Sequence, residues 1–341
     1  MKKSFLVAVA AIMFSGSAFA GVDFSIQPRL EGAYNSVAND HEFDFGGSQL
    51  YTFINGDITE HLSFDFSALL FNPHYKSLYE YESPCINGTW LTTAYLSYNR
   101  DLWGVDLGKV ILNFGGLVNE ENDIDCYSGL VPFGWMWYNT YQYGATLRLT
   151  PGENHSFEAQ LTTSPSMETF KDMKLAYSLC WRGAMGNFST VYAFNSVREC
   201  VYDYDEEEDE DIVVEGEGYN TFNIGLGNRY DFNDSWALEL DAYLHLFDGE
   251  VDEFNYSDFS LSGIYNATDN LKFKLQTGIR GGKAFSLGGL VEYYPIESLR
   301  LHTAFNYCDS KDLYYPNKFN NDTPFEINFG VTYSFDFHAG R

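Results

Sequence analysis

Three stretches of the chain alternate strictly between apolar and polar residues. Trp236, Leu238, Leu240, Ala242, Leu244 and Leu246 are apolar, with Glu239, Asp241 and His245 between them. Leu271, Phe273, Leu275, Thr277 and Ile279 alternate with Lys272, Lys274, Gln276 and Arg280. Phe325, Ile327, Phe329, Val331, Tyr333, Phe335 and Phe337 alternate with Glu326, Asn328, Thr332 and Asp336. A period of two puts the two sets on opposite faces of a strand. These runs reach about ten residues or more, longer than soluble strands and matched to a tilted strand crossing a bilayer. The same pattern predicts strands at 22–35, 43–55, 61–71, 88–99, 102–110, 137–150, 155–164, 173–183, 187–198, 218–231, 235–247, 253–266, 270–281, 283–294, 298–308 and 325–338. The second is the least regular, because its alternation slips around Gly46-Gly47. The total of about sixteen is even, as a closed transmembrane antiparallel β-barrel requires, and the fold class is all-β.

The connections sort into two kinds. Short polar turns fall at Arg100-Asp101, 151–154, Asn233-Asp234, 266–270 and 295–298. Long connections alternate with them, at 36–42, 72–87, 111–136, 165–172, 199–217 and 309–324. Tight turns on one side and long loops on the other are the layout of an outer-membrane barrel, with both chain ends on the turn side. A secreted β-sandwich also alternates, but with shorter strands that bury one face in a common core.

The first twenty residues read as an address. Lys2 and Lys3 precede an apolar stretch from Phe5 to Phe14, and Ala18-Phe19-Ala20 fits a small-x-small cleavage site. Residues 1–20 are therefore expected to be a cleaved signal peptide and 21–341 the barrel, placed in the bacterial outer membrane. A formal charge of −28 argues against nucleic acid as a partner. Aromatic residues make up 18% of the chain, far above what disordered segments carry. The five cysteines, Cys85, Cys126, Cys180, Cys200 and Cys308, leave at least one outside any internal disulfide, and their spacing matches no metal motif. No metal and no cofactor are expected.

Two segments resemble known families. Asn328-Phe329-Gly330-Val331-Thr332-Tyr333-Ser334-Phe335 resembles the assembly signal of outer-membrane proteins, with Gly330, Tyr333 and Phe335 in its defining positions; His338-Ala339-Gly340-Arg341 follow Phe337, so the signal is internal. The resemblance implies the barrel-assembly machinery as a partner. The connection 111–136 is the third long loop and the longest, and loops of that length are usually functional. In strand number, loop position and leader the chain resembles the general sixteen-stranded porins, in which the third loop folds into the lumen and narrows the pore. Thr93-Ala94-Tyr95-Leu96-Ser97-Tyr98, Asp106-Leu107-Gly108-Lys109 and Phe114-Gly115-Gly116, with Phe64-Asp65-Phe66 upstream and Tyr143-Gly144-Ala145 downstream, also look like the phosphate-selective porin O/P superfamily. The resemblance implies passive diffusion of small hydrophilic solutes, a homotrimer, and contact with lipid and lipopolysaccharide.

The charges refine that expectation. The third loop carries Glu120, Glu121, Asp123 and Asp125, with no Lys or Arg between Lys109 and Arg148. Alternation places Arg148, Lys174, Arg182, Lys272, Lys274, Arg280, Arg300 and His302 on the lumen face. An acidic constriction loop opposed by a basic wall would set a transverse field across a narrow pore; lumen charges that only line a wet channel or form ion pairs are the plainer reading. Asp65, Asp106, Glu158, Glu239, Asp241, Asp258, Glu292 and Glu326 fall on the same face, so a phosphate trap is not expected and weak cation preference or little selectivity is. The acidic run from Asp203 to Asp211 reads as a solvated outer loop, with divalent-cation bridging to lipid phosphates as the functional alternative. Trp135, Met136, Trp137, Tyr138, Tyr141, Tyr293, Tyr294, Tyr314 and Tyr315 fit interfacial girdles, and Tyr95, Tyr243 and Tyr294 would have to line up to form a sugar-stacking track. His245, His302 and His338 face inward without a nucleophile motif, so an enzyme is not expected. The rival from another class is a surface adhesin with a plugged barrel.

Overall fold

The computed structural model describes residues 21–37, 40–45, 47–71, 91–117, 120, 140–165, 173–198, 202–205, 210–213, 220–247, 256–280, 284–308 and 325–340. The predicted leader and most of the long connections lie outside the described residues. Sixteen spans form one closed antiparallel sheet. They are β1 (Gly21–Val37), β2 (Asp40–Asp44 and Gln49–Asp57), β3 (Leu62–Phe71), β4 (Leu91–Asn99), β5 (Trp103–Ile111), β6 (Tyr141–Gly152), β7 (His155–Thr163) and β8 (Leu175–Met185). The second half holds β9 (Phe188–Arg198), β10 (Asn220–Asn233), β11 (Trp236–Phe247), β12 (Tyr256–Thr268), β13 (Leu271–Arg280), β14 (Ala284–Ile296), β15 (Leu299–Cys308) and β16 (Phe325–Tyr333 and Phe335–Gly340). Each pairs with its sequence neighbours, and β1 also pairs with β16, which closes the ring. Closure leaves no edge and lets every strand satisfy its backbone hydrogen bonds in a lipid surround. A separate two-stranded hairpin, Tyr202–Asp205 with Glu210–Val213, stands within the acidic run.

The irregular second strand has a specific cause. Ala33 of β1 faces Asp44, and Arg29 faces Gln49. Between these pairs β1 advances by one residue fewer than β2, so β2 carries a bulge at Phe45–Ser48 and its side chains change face there. Ser48 anchors the bulge, its hydroxyl accepting from Glu31 N at 3.1 Å and donating to Glu31 O at 3.2 Å. The bulge also corrects the first predicted connection. The expected loop over 36–42 is strand on both sides, because Val37 pairs with Asp40. At the other seam the β16 ladder breaks at Ser334 without a register shift, beside Pro28 of β1, which has no N–H to give.

The barrel is polar inside and apolar outside. Leu161, Leu179, Phe194 and Leu226 of β7 to β10 are exposed on the outer face, whereas Gln160, Ser178, Asn195 and Asn223 on the same strands are buried on the inner one. A soluble sheet would bury the leucines, so this inversion marks a wall facing lipid. Aromatic residues gather at the tight-turn ends. Trp236 stacks on Tyr265 at 4.4 Å, Tyr333 lies 4.5 Å from Phe335, and Tyr98 lies 5.7 Å from Trp103. Tyr293 sits at the same level beside the turn at 297–298, as expected of an interfacial girdle. Trp135 to Tyr138, Tyr314 and Tyr315 lie outside the described residues.

Candidate functional site

The third loop leaves β5 and crosses the inner face of the wall. Leu112 N donates to Thr140 O at 2.7 Å, and Gln160 Nε2 donates to Ile111 O at 2.9 Å. Asn113 is then held by every polar group it has. Its N–H reaches Gln160 Oε1 at 2.8 Å and its side-chain amide donates to Glu158 Oε2 at 2.7 Å. Its carbonyl accepts from Ser178 Oγ at 2.8 Å and Asn195 Nδ2 at 3.1 Å, and its Oδ1 accepts from Arg182 Nη2 at 3.2 Å. Gly116 N donates to Val191 O, Leu117 N to Asp241 Oδ1 at 2.6 Å, and Tyr243 Oη to Gly115 O at 3.0 Å.

Residues 112–117 therefore form a strap across five strands, from β7 to β11. Four inter-strand gaps at about 4.8 Å span roughly 19 Å. The segment is not fully extended, because Gly115 and Gly116 have positive φ, and wall side chains such as Gln160, Asp241 and Tyr243 reach in to close the distance. Leu112 and Phe114 bury against Ala176 and Val197, and Leu117 packs on Cys180, Val191 and Ala193. Cys180 is free and buried there; it is the one cysteine whose side chain is described.

Charged groups form two sets on the inner face. The first runs from the wall to the loop as Asp106, Arg148, Glu158, Arg182 and Glu120. Arg148 pairs with Asp106 and lies 3.6 Å from Glu158, and Arg182 lies 2.9 Å from Glu158 and 2.8 Å from Glu120. The second set stands on β10, β11, β13 to β15 and β1. Glu239 binds Arg229 at 3.1 Å and Lys274 at 3.2 Å, and Glu292 binds Lys272 at 3.2 Å and Arg300 at 3.5 Å. Glu31 pairs with Arg29 and accepts from His302 at 2.8 Å.

The predicted residues fall as follows. Arg148, Lys174, Arg182, Lys272, Lys274, Arg300 and His302 are all on the inner face; the side chain of Arg280 and the whole of Glu121, Asp123 and Asp125 lie outside the described residues. Basic residues expected to oppose the loop are paired with carboxylates that alternation places on the same face. Arg182 joins the loop carboxylate Glu120 as well as Glu158, while Arg148, Lys272, Lys274, Arg300 and His302 meet carboxylates of the wall. The antiparallel register decides this, setting Arg148 opposite Glu158, Arg229 opposite Glu239 and Lys272 opposite Glu292. Tyr95, Tyr243 and Tyr294 stand on β4, β11 and β14, which are not neighbours, and Tyr243 is engaged by the strap. Gly330, Tyr333 and Phe335 lie in β16, against the first strand. Arg29, Glu31, Asn113 and Arg229 were missed among the site residues. Strict alternation through 225–231 could have found Arg229; nothing local signals that Asn113 is a hub.

A closed sixteen-stranded barrel, apolar outside and charged within, with a loop laid along its inner wall, has the fold of the porins of the bacterial outer membrane. Solved structures share that fold across almost the whole chain. A loop-deletion form of OmpT, an outer membrane protein of Vibrio cholerae, superposes with a TM-score of 0.63 at 13% identity, over 93% of this chain and 100% of that one. Salmonella typhi OmpF, in complex with daunomycin, gives 0.61 at 12% identity over 92% and 97%. The outer membrane channel DcaP of Acinetobacter baumannii gives 0.59 at 13% identity over 93% and 98%. At these identities the likeness is one of fold. Neither a protein-family model nor a curated protein sequence matches the chain.

Proposed function

We propose that the chain is a passive diffusion channel of the outer membrane for small hydrophilic solutes and ions, with weak cation preference. The observation that carries this reading is the inner face: polar and charged outside the apolar patch beneath the third loop, which is strapped to it. Glu120, Glu121, Asp123 and Asp125 form the constriction in this reading, tethered at Glu120 by Arg182. Asp65, Asp241, Asp258 and Glu326 stand on the same face beside the carboxylates of the ion pairs, so acidic and basic groups nearly balance on the wall and the four loop carboxylates tip the total toward acid. An excess of carboxylates favours cations, and the pairing keeps the preference weak. Diffusion involves no catalytic step and no cofactor. Residues 1–20 act as the export signal, and the segment around Gly330, Tyr333 and Phe335 serves the assembly machinery. The outer wall meets lipid and lipopolysaccharide. A homotrimer is part of the proposal; OmpT of Vibrio cholerae, which shares the fold, has been solved in a trimer form.

The test is planar-bilayer conductance of the refolded mature chain, with the reversal potential read in a salt gradient. Open steps with a weak cation preference are expected, and Arg182→Gln should move the reversal potential further toward cations. Strong anion preference would overturn the selectivity. A folded barrel without conductance would overturn the channel itself and favour a plugged surface protein.

A further inference from the structure

The strap's contacts divide into two chemically different kinds. At Glu120 the loop is held by an ion pair in which both side chains remain partly exposed, at 28% for Arg182 and 37% for Glu120. At Gly115 to Leu117 it is held by buried hydrogen bonds of its backbone to the wall and by backbone laid directly on backbone. Gly115 and Gly116 both have positive φ, 73° and 82°, a conformation other residues adopt rarely. Two glycines of β10 face them. A Cβ on Gly225 would lie 1.9 Å from Phe114 O, and one on Gly227 would lie 2.5 Å from Leu117 N. A Cβ on Gly116 would in turn meet the Tyr243 hydroxyl at 1.6 Å. The loop can sit this close only because four side chains are missing at the contact.

We propose that Gly225, Gly227, Asp241 and Tyr243 are positioning residues that set the width of the pore, while the Glu120–Arg182 pair sets its charge preference. The proposal rests on the channel reading above and adds a division of labour to it. The wall receives the turn in a glycine-paved seat, and Asp241 and Tyr243 close over it from β11, one accepting from Leu117 N and the other donating to Gly115 O. Asp241 acts here through an oxygen that accepts a backbone N–H. Its charge is not needed for that bond, so an asparagine can keep it. The chain runs on from this fixed point to Glu120, so a shift of the seat shifts the start of the segment that the channel reading places in the lumen. Buried hydrogen bonds in a glycine seat are also less sensitive to salt than a partly exposed ion pair, which is screened by it.

The experiment measures unitary conductance and reversal potential for the refolded mature chain and four variants, at low and high salt. Conductance of the unaltered chain is the test of the channel reading; without it that reading fails first. Given a conducting channel, Asp241→Ala, which releases the strap, should raise the unitary conductance and broaden its distribution, and Gly227→Ala, whose methyl pushes the strap off the wall into the lumen, should lower it. Asp241→Asn should restore the conductance of the unaltered chain. Arg182→Gln should shift the reversal potential with a smaller change in conductance. A folded Asp241→Ala channel of unaltered conductance would overturn the proposal. So would an Asp241→Asn channel as wide as Asp241→Ala, because the carboxylate charge would then be what matters. Gel mobility before and after heating identifies variants that fail to fold, and Tyr243→Phe, which removes only the hydroxyl, tests the seat where Gly227→Ala does not fold.

Discussion

The seam between the first and last strands depends on one carboxylate. Glu31 of β1 pairs with Arg29 on its own strand and accepts from His302 of β15, two strands away. The imidazole reaches it by crossing β16 at Gly330; a Cβ there would lie 2.8 Å from the His302 ring. The side chains of Arg29, Glu31 and His302 are 3%, 6% and 0% exposed. Removing one partner of a buried ion pair costs about 3–5 kcal/mol, because the other charge stays behind. Glu31→Gln preserves shape and an accepting oxygen, which argues for the lower end. A loss of about 3 kcal/mol is roughly a hundredfold in the folded-to-unfolded ratio. Urea unfolding of the refolded barrel in detergent, followed by tryptophan fluorescence, measures it. His302→Ala and the double variant complete a cycle, and a coupling of about 1 kcal/mol is expected for groups in direct contact. Single-channel conductance should stay unchanged in all three. A Glu31→Gln midpoint equal to that of the unaltered chain, or strictly additive effects, would refute the bolt across the seam.

Two further outcomes follow from the same coordinates. Gly330→Ala places a methyl 2.4 Å from Leu30 O, and overpacking of this kind costs about 1–3 kcal/mol; the folded fraction in a refolding assay should fall accordingly, even with no assembly machinery present. Trp236→Ala removes a ring stacked at 4.4 Å on Tyr265, which should cost at least about 1 kcal/mol in urea unfolding and leave the reversal potential where it was.

The architecture was legible in the chain because a membrane barrel writes itself locally. Every strand crosses the same slab, so every strand repeats one rule: apolar toward lipid, polar toward the inside. Trp236 to Leu246 and Leu271 to Ile279 state that rule without reference to any other part of the molecule. The rule failed where β2 carries its bulge, because one added residue exchanges the faces and hides the strand up to Asp40.

The inner charges show the opposite case. Alternation alone identified Arg148, Lys272 and Arg300 as inward-facing, and the third loop was found by its length. Their partners depend on how far each strand slides against the next, and a slide of one pair changes every contact. So the chain showed basic and acidic residues on one face without their partners, and the register decided which of them pair across strands. The strap depends on tertiary structure still more completely. Asn113 reaches Glu158, Ser178, Arg182 and Asn195, and Gly115-Gly116 meets Gly225 and Gly227 more than a hundred residues further on. Periodicity carries only which face a residue occupies; pairing and curvature of the sheet bring β7 to β11 around a single six-residue segment, and that proximity exists only once those strands are side by side.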